Sequence, residues 1–134
     1  MAALEVDPAP ARPTVLIVED EVLIRLMVAD ELRNAGVHVL EASSADEAWT
    51  ILQSALPVHL LFTDIHMRGE MDGVALAQLV HGRYPQMKLI ITSSREPEGS
   101  IRPAAAVFVG KPYDLRTVVA QVKALLAEPN AEQR

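Results

Sequence analysis

Short apolar runs rich in β-branched residues alternate along this chain with segments of helical period, and no other feature constrains the fold as strongly. Such alternation is the signature of a parallel sheet covered by helices. Residues 15–18 form a continuous apolar run, the pattern of a strand buried on both faces, and it breaks at Glu19-Asp20-Glu21. Ile24, Met27, Val28, Leu32 and Ala35 then share one helical face that stops at Gly36, a residue suited to the left-handed turn past a helix end. Residues 37–40 read as a second strand. Ser44 and Glu47 form a capping-box pattern that opens a helix with Ala48, Ile51, Leu52 and Ala55 inward, closed by Pro57. Residues 60–63 make a third strand ending at Asp64, and a loop of seven residues leads to Asp72, the N-cap of a helix with Leu76, Leu79 and Val80 inward that runs until Pro85. A fourth strand, 89–91, ends at Thr92. A fifth, 106–109, ends at Gly110-Lys111-Pro112, after which Asp114 caps a last helix carrying Leu115, Val118, Val119, Val122, Leu125 and Leu126 at helical spacing and stopping before Pro129.

Between the fourth and fifth strands a further helix is due, yet residues 93–103 hold Pro97, Gly99 and Pro103. Each proline costs a helix interior about 3 kcal/mol, so at most a short or irregular turn of helix is expected there, with a low cost of local opening. The 134 residues suit one domain. Residues 1–13, with Pro8, Pro10 and Pro13 among alanines, read as a disordered leader, residues 14–127 as the domain and 128–134 as a short tail.

Composition removes several function classes. A net charge of −6 argues against attraction to nucleic acid phosphates or anionic lipid. The absence of cysteine removes disulfides, thiolate metal sites and Cys nucleophiles. No apolar run approaches the roughly 18–20 residues that span a bilayer, and the N-terminus lacks the marks of a secretory signal, so the expected location is the cytoplasm.

In an open parallel sheet the ligand crevice lies outside the carboxyl ends of the strands. Those ends carry Glu19 and Asp20 on the first strand, Asp64 on the third, Thr92 on the fourth and Lys111 on the fifth. Crowded carboxylates need a cation, and hard oxygen donors suit Mg²⁺. Acids, a hydroxyl and an amine around a divalent ion read as phosphoryl transfer, with the Asp64 carboxylate as nucleophile and an aspartyl phosphate as product.

The run VLIVEDE, Asp64 with its loop ending Met71-Asp72-Gly73, the run IITS and the triplet Lys111-Pro112-Tyr113 resemble the receiver domain of two-component response regulators over residues 14–127. The resemblance implies a flavodoxin-like, doubly wound sheet of order 2-1-3-4-5. It implies that Asp64 is phosphorylated by a histidine kinase or histidine phosphotransfer protein, and that Glu19, Asp20, Asp64 and the backbone carbonyl of His66 hold Mg²⁺. Lys111 pairs with the phosphoryl group, Pro112 follows a cis peptide, Thr92 swings toward the phosphate and Phe108 repacks when it moves. The loop Met67-Arg68-Gly69-Glu70 is one residue longer than usual and lacks the common proline, Phe108 stands where Tyr is frequent, and the stretch from Thr92 to Lys111 is about three residues short of the family pattern.

Each residue has a plainer reading alone: Glu19 to Glu21 as an acidic helix start, Thr92 as a strand-end residue, Lys111 as a solvated charge, Phe108 as core. Their joint placement overrides it. His38, His59, His66 and His81 lack metal spacing and read as surface or packing residues. Leu23 and Leu26 form a second apolar stripe on the first helix, either ordinary surface or a docking patch for a helical bundle. The leading expectation is a stand-alone response regulator acting on a downstream protein, with no enzymatic role beyond its own phosphorylation and dephosphorylation. The alternatives are a degenerate receiver that binds without phosphorylation, or a receiver belonging to a larger regulator or hybrid kinase. An aspartyl-phosphate hydrolase is disfavoured because His66 stands where a second Asp is expected, and a flavin carrier because Glu19-Asp20-Glu21 replaces a glycine-rich turn.

Overall fold

Strands buried on both faces need helices above and below, and the computed structural model, which describes residues 12–94 and 103–128, provides them. β1 (Thr14–Val18), β2 (His38–Ala42), β3 (Leu60–Asp64), β4 (Lys88–Ser93) and β5 (Val107–Gly110) form one sheet, every pair parallel, in the order β2-β1-β3-β4-β5. The order implied by the resemblance therefore stands. Register pairs Val18 with Thr63, Asp64 with Thr92 and Ser93 with Gly110, so the strands finish together along one edge.

Alternation divides the core into two layers. Leu16, Val18, Leu61, Leu89 and Ile91 face α2 (Ala45–Leu52) and α3 (Gly73–Arg83), while Val15, Ile17, Leu60, Phe62 and Ile90 face α1 (Val22–Asn34) and α4 (Leu115–Ala127). Each fully buried Leu, Ile or Phe among them contributes about 1.5–3 kcal/mol of transfer free energy. The caps follow the sequence. Asp72 and Asp114 accept backbone hydrogen bonds from Ala75 and Arg116, and Gly36 past the end of α1 has φ +91°. Ser44 accepts from Glu47 N–H, but the Glu47 carboxylate returns to Ser43 N–H rather than to Ser44, shifting half of the capping box by one residue.

The helix faces differ from the periodicity reading at three places. Met27 is exposed, because the buried face of α1 is centred on Val28, Ala29 and Leu32. Leu79 is 40% exposed beside fully buried Leu76 and Val80. Ala55 lies in solvent because α2 ends at Leu52, five residues before Pro57. The expected leader (apart from Arg12 and Pro13), residues 95–102 of the stretch expected to hold an irregular fourth helix, and the tail beyond Glu128 lie outside the described residues, while Ser93, the first residue of that stretch, belongs to β4.

Candidate functional site

Period-two alternation carries one sheet face past its carboxyl edge. Glu19 follows Val15 and Ile17, Asp64 follows Leu60 and Phe62, Thr92 follows Ile90, and Lys111 follows Val107 and Val109. All four residues thus extend the face that packs on α1 and α4. The continuation brings them together. Lys111 Nζ lies 2.9 Å from Glu19 Oε1 and 3.3 Å from Asp64 Oδ2. Glu19, Asp20 and Asp64 can each present one oxygen within 4.8 Å of the others.

Each acid is held in a different way. Glu19 is almost fully buried, and its second oxygen accepts from Glu21 N–H at 3.1 Å. Asp64 Oδ1 accepts from Ile65 N–H at 2.9 Å, which leaves Oδ2 toward Lys111. Asp20, only partly buried, receives a long bond of 3.4 Å from Arg68 N–H, so the loop after β3 touches the acidic turn after β1. Burial raises the Glu19 carboxyl above its usual range, opposed by the hydrogen bond from Lys111. Burial alone would lower Lys111, but its bonds and charge interactions with Glu19 and Asp64 win and its pKa is raised. The ammonium therefore stays charged and neutralises two acids at once.

Thr92 sits opposite Asp64 in the β3–β4 register, wholly buried, and its hydroxyl has no hydrogen-bond partner among the described residues. Phe108 pairs with Ile91, one position back and on the other side of the sheet, its ring 3.6 Å from where a Cβ on Gly110 would stand. His66 follows in the loop with an exposed side chain. The Lys111-Pro112 peptide is cis. Of the histidines, His59 is exposed, with its Nδ1 accepting from Thr14 N–H at 3.0 Å.

Three contributors escaped the sequence reading. Gly73 packs so tightly beneath the phosphoacceptor candidate that a Cβ would fall 1.8 Å from Asp64 O, and its N–H donates to Ile65 O at 2.9 Å. The signal was the Asp72-Gly73 pair, read as a helix start and as part of the family motif but not for its packing. Tyr113 stacks edge-on against Phe62 with its hydroxyl buried and unpartnered among the described residues. Arg25 reaches from α1 to Glu19 O at 2.8 Å.

The sequence profile of the response regulator receiver domain matches residues 15–123. An NtrX-like response regulator of Rickettsia felis is 32% identical over 114 residues, 81% of this chain and 24% of that protein. The sensor kinase CckA of Brucella abortus is 34% identical over 118 residues, 84% of this chain and 12% of that protein. The chain thus spans about a quarter or less of the curated relatives it matches. The crystal structure of the receiver domain from the hybrid histidine kinase CckA superimposes with a TM-score of 0.72 at 32% identity, covering 84% of this chain and 98% of that one.

Proposed function

Since the chain belongs to the response regulator receiver family of two-component signalling, we propose that Asp64 accepts a phosphoryl group from a histidine kinase or histidine phosphotransfer protein and that the domain works as a phosphorylation-controlled switch or relay toward a downstream protein. The observation that carries this reading is Lys111 Nζ at 3.3 Å from Asp64 Oδ2 with Glu19 and Asp20 beside it. Transfer forms a bond between phosphorus and an Asp64 carboxylate oxygen and breaks the phosphorus–nitrogen bond of the donor, whose imidazole is left neutral once proton balance is restored. Lys111 is placed to offset charge on the phosphoryl oxygens.

The donor set fits Mg²⁺, being made of hard carboxylate oxygens with an ammonium as the resting neutraliser. Glu19, Asp20, Asp64 and the His66 backbone carbonyl would hold the ion, which supplies charge neutralisation and orientation of phosphoryl oxygens. Thr92 has a buried hydroxyl free to turn toward a new oxygen, and Phe108 on the neighbouring strand repacks as it turns.

For the partner we favour a helical bundle docking on α1, where Val22, Leu23, Leu26 and Met27 are exposed, Leu23 by 75%. Among the described residues no helix is long and apolar enough to cross a membrane, and a cytoplasmic location goes with this reading. Intact mass after a small-molecule phosphodonor with Mg²⁺ tests it: wild type should gain one phosphoryl mass and Asp64→Asn none, and Asp20→Asn should bind Mg²⁺ well below wild type in calorimetry. Equal labelling of wild type and Asp64→Asn would overturn the assignment.

A further inference from the structure

Arg25, Val28, Ala29 and Leu32 stand at i, i+3, i+4 and i+7 on α1, the spacing of a single helix face. The last three are that helix's buried residues, so Arg25 continues the buried face by one turn toward the acidic edge of the sheet. A guanidinium in such a place needs partners, and it has two. Nη1 donates to Glu19 O at 2.8 Å, and Nε donates to Glu41 Oε1 at 3.2 Å. Glu41 is itself held on its other oxygen by Arg33 Nη2 at 3.0 Å.

The carbonyl that Arg25 engages is the one that leads into Asp20. Glu19 N–H still follows the ladder, donating to Ala42 O at 3.1 Å, but β2 stops at Ala42, and Ser44, whose N–H the parallel register would bring to Glu19 O, is already the N-cap of α2. The chain after β2 has turned into α2 where strand pairing would otherwise continue past Glu19. Arg25 supplies the donor in its place. With N–H, C=O and both carboxylate oxygens engaged, Glu19 is held at every polar group. The plane of the Glu19–Asp20 peptide is set by the same bond, and with it the direction in which the Asp20 side chain leaves the backbone.

We infer that Arg25, oriented by Glu41, is a positioning residue for the acidic cluster: it fixes the Glu19–Asp20 peptide so that the two carboxylates converge with that of Asp64. The inference rests on the Mg²⁺-dependent reading above. Its electrostatic sign makes it testable, since a guanidinium near a cation site repels the cation and its simple removal would strengthen Mg²⁺ binding. Positioning predicts the opposite.

The experiment is calorimetric Mg²⁺ affinity of the full chain, with phosphorylation by a small-molecule donor followed against Mg²⁺ concentration. Arg25→Met, which keeps the apolar stem and loses the donors, should bind Mg²⁺ about tenfold more weakly, the scale seen when residues that orient metal ligands are removed. Its half-maximal Mg²⁺ concentration for phosphorylation should rise by the same factor at an unchanged maximal rate. Arg25→Lys, able to donate to one of the two acceptors, should fall between. Glu41→Ala, which leaves the guanidinium but removes its orienting partner, should weaken binding less than Arg25→Met and add little on top of it. Unchanged or tighter Mg²⁺ binding by folded Arg25→Met and Arg25→Lys overturns the inference. Failure of wild type to bind Mg²⁺, or of Asp20→Asn to weaken it, instead overturns the underlying site reading.

Discussion

The Lys111 ammonium reaches past two intervening strands, from the end of β5, to lie 2.9 Å from Glu19 Oε1 at the end of β1. It also touches Asp64, so one cation holds two nearly buried carboxylates that would otherwise repel. Removing one partner from such a pair typically costs about 3–5 kcal/mol, because the charges left behind are uncompensated. Lys111→Met should therefore destabilise the Mg²⁺-free protein by about 3 kcal/mol, and millimolar Mg²⁺ should return much of the loss by binding the freed acids. Urea melts with and without Mg²⁺ measure both; a Mg²⁺-independent loss would contradict the shared-neutraliser argument.

Thr92 carries the opposite sign. Its buried hydroxyl has no partner among the described residues, and an unsatisfied buried hydroxyl costs about 1–3 kcal/mol. Thr92→Val keeps the β-branched shape and should stabilise the resting protein by about 1 kcal/mol. If the hydroxyl turns to the phosphoryl group, a beryllofluoride mimic should raise the melting temperature of wild type more than that of the variant. Equal gains would remove Thr92 from the switch.

Gly73 bears on Asp64 through the backbone. A methyl group at this position would sit 1.8 Å from Asp64 O, and backbone on both sides cannot yield cheaply. Gly73→Ala should cost about 1–3 kcal/mol in stability and slow phosphodonor labelling by shifting the Asp64 backbone. Stability and labelling both at wild-type level would show that the start of α3 can move freely away from β3.

Tyr113 has a pKa raised from 10.0 to about 12, chiefly by burial of the phenol, with Lys111 pulling the other way. The folded state thus favours the protonated phenol, so this contribution to stability is intact below pH 10 and is lost as pH rises from about 10 through about 12. Phenolate absorbance in a Tyr84→Phe background should show a midpoint well above 10 while the chain is folded. Tyr113→Phe, which deletes the unpartnered hydroxyl but keeps the edge contact with Phe62, should melt at or above the wild-type temperature and lose that alkaline dependence.

Strands, caps and site acids were legible in the sequence because each depends on neighbours a few residues away. Alternation about Val15, Ile17, Leu60, Phe62 and Ile90 is enough to send Glu19, Asp64 and Thr92 out of one sheet face, and the family motifs named Lys111 as their companion. What escaped was decided by partners distant along the chain. Met27 reads as apolar and inward, yet the buried face of α1 is centred on Val28, Ala29 and Leu32 and continues to Arg25, whose acceptors lie on Glu19 and on Glu41, 16 residues away. Lys111 meets Glu19 across 92 residues, and a side chain at Gly73 is disfavoured only because the Asp64 backbone passes against it. Hydrophobic period is a property of the local backbone, so the sequence alone determined which edge of the sheet gathers Glu19, Asp64 and Thr92. Whether a charge on an apolar helix face finds partners depends on what packs against it, and only the assembled sheet, which brings Glu19 O and the Glu41 carboxylate within reach of Arg25, decides that.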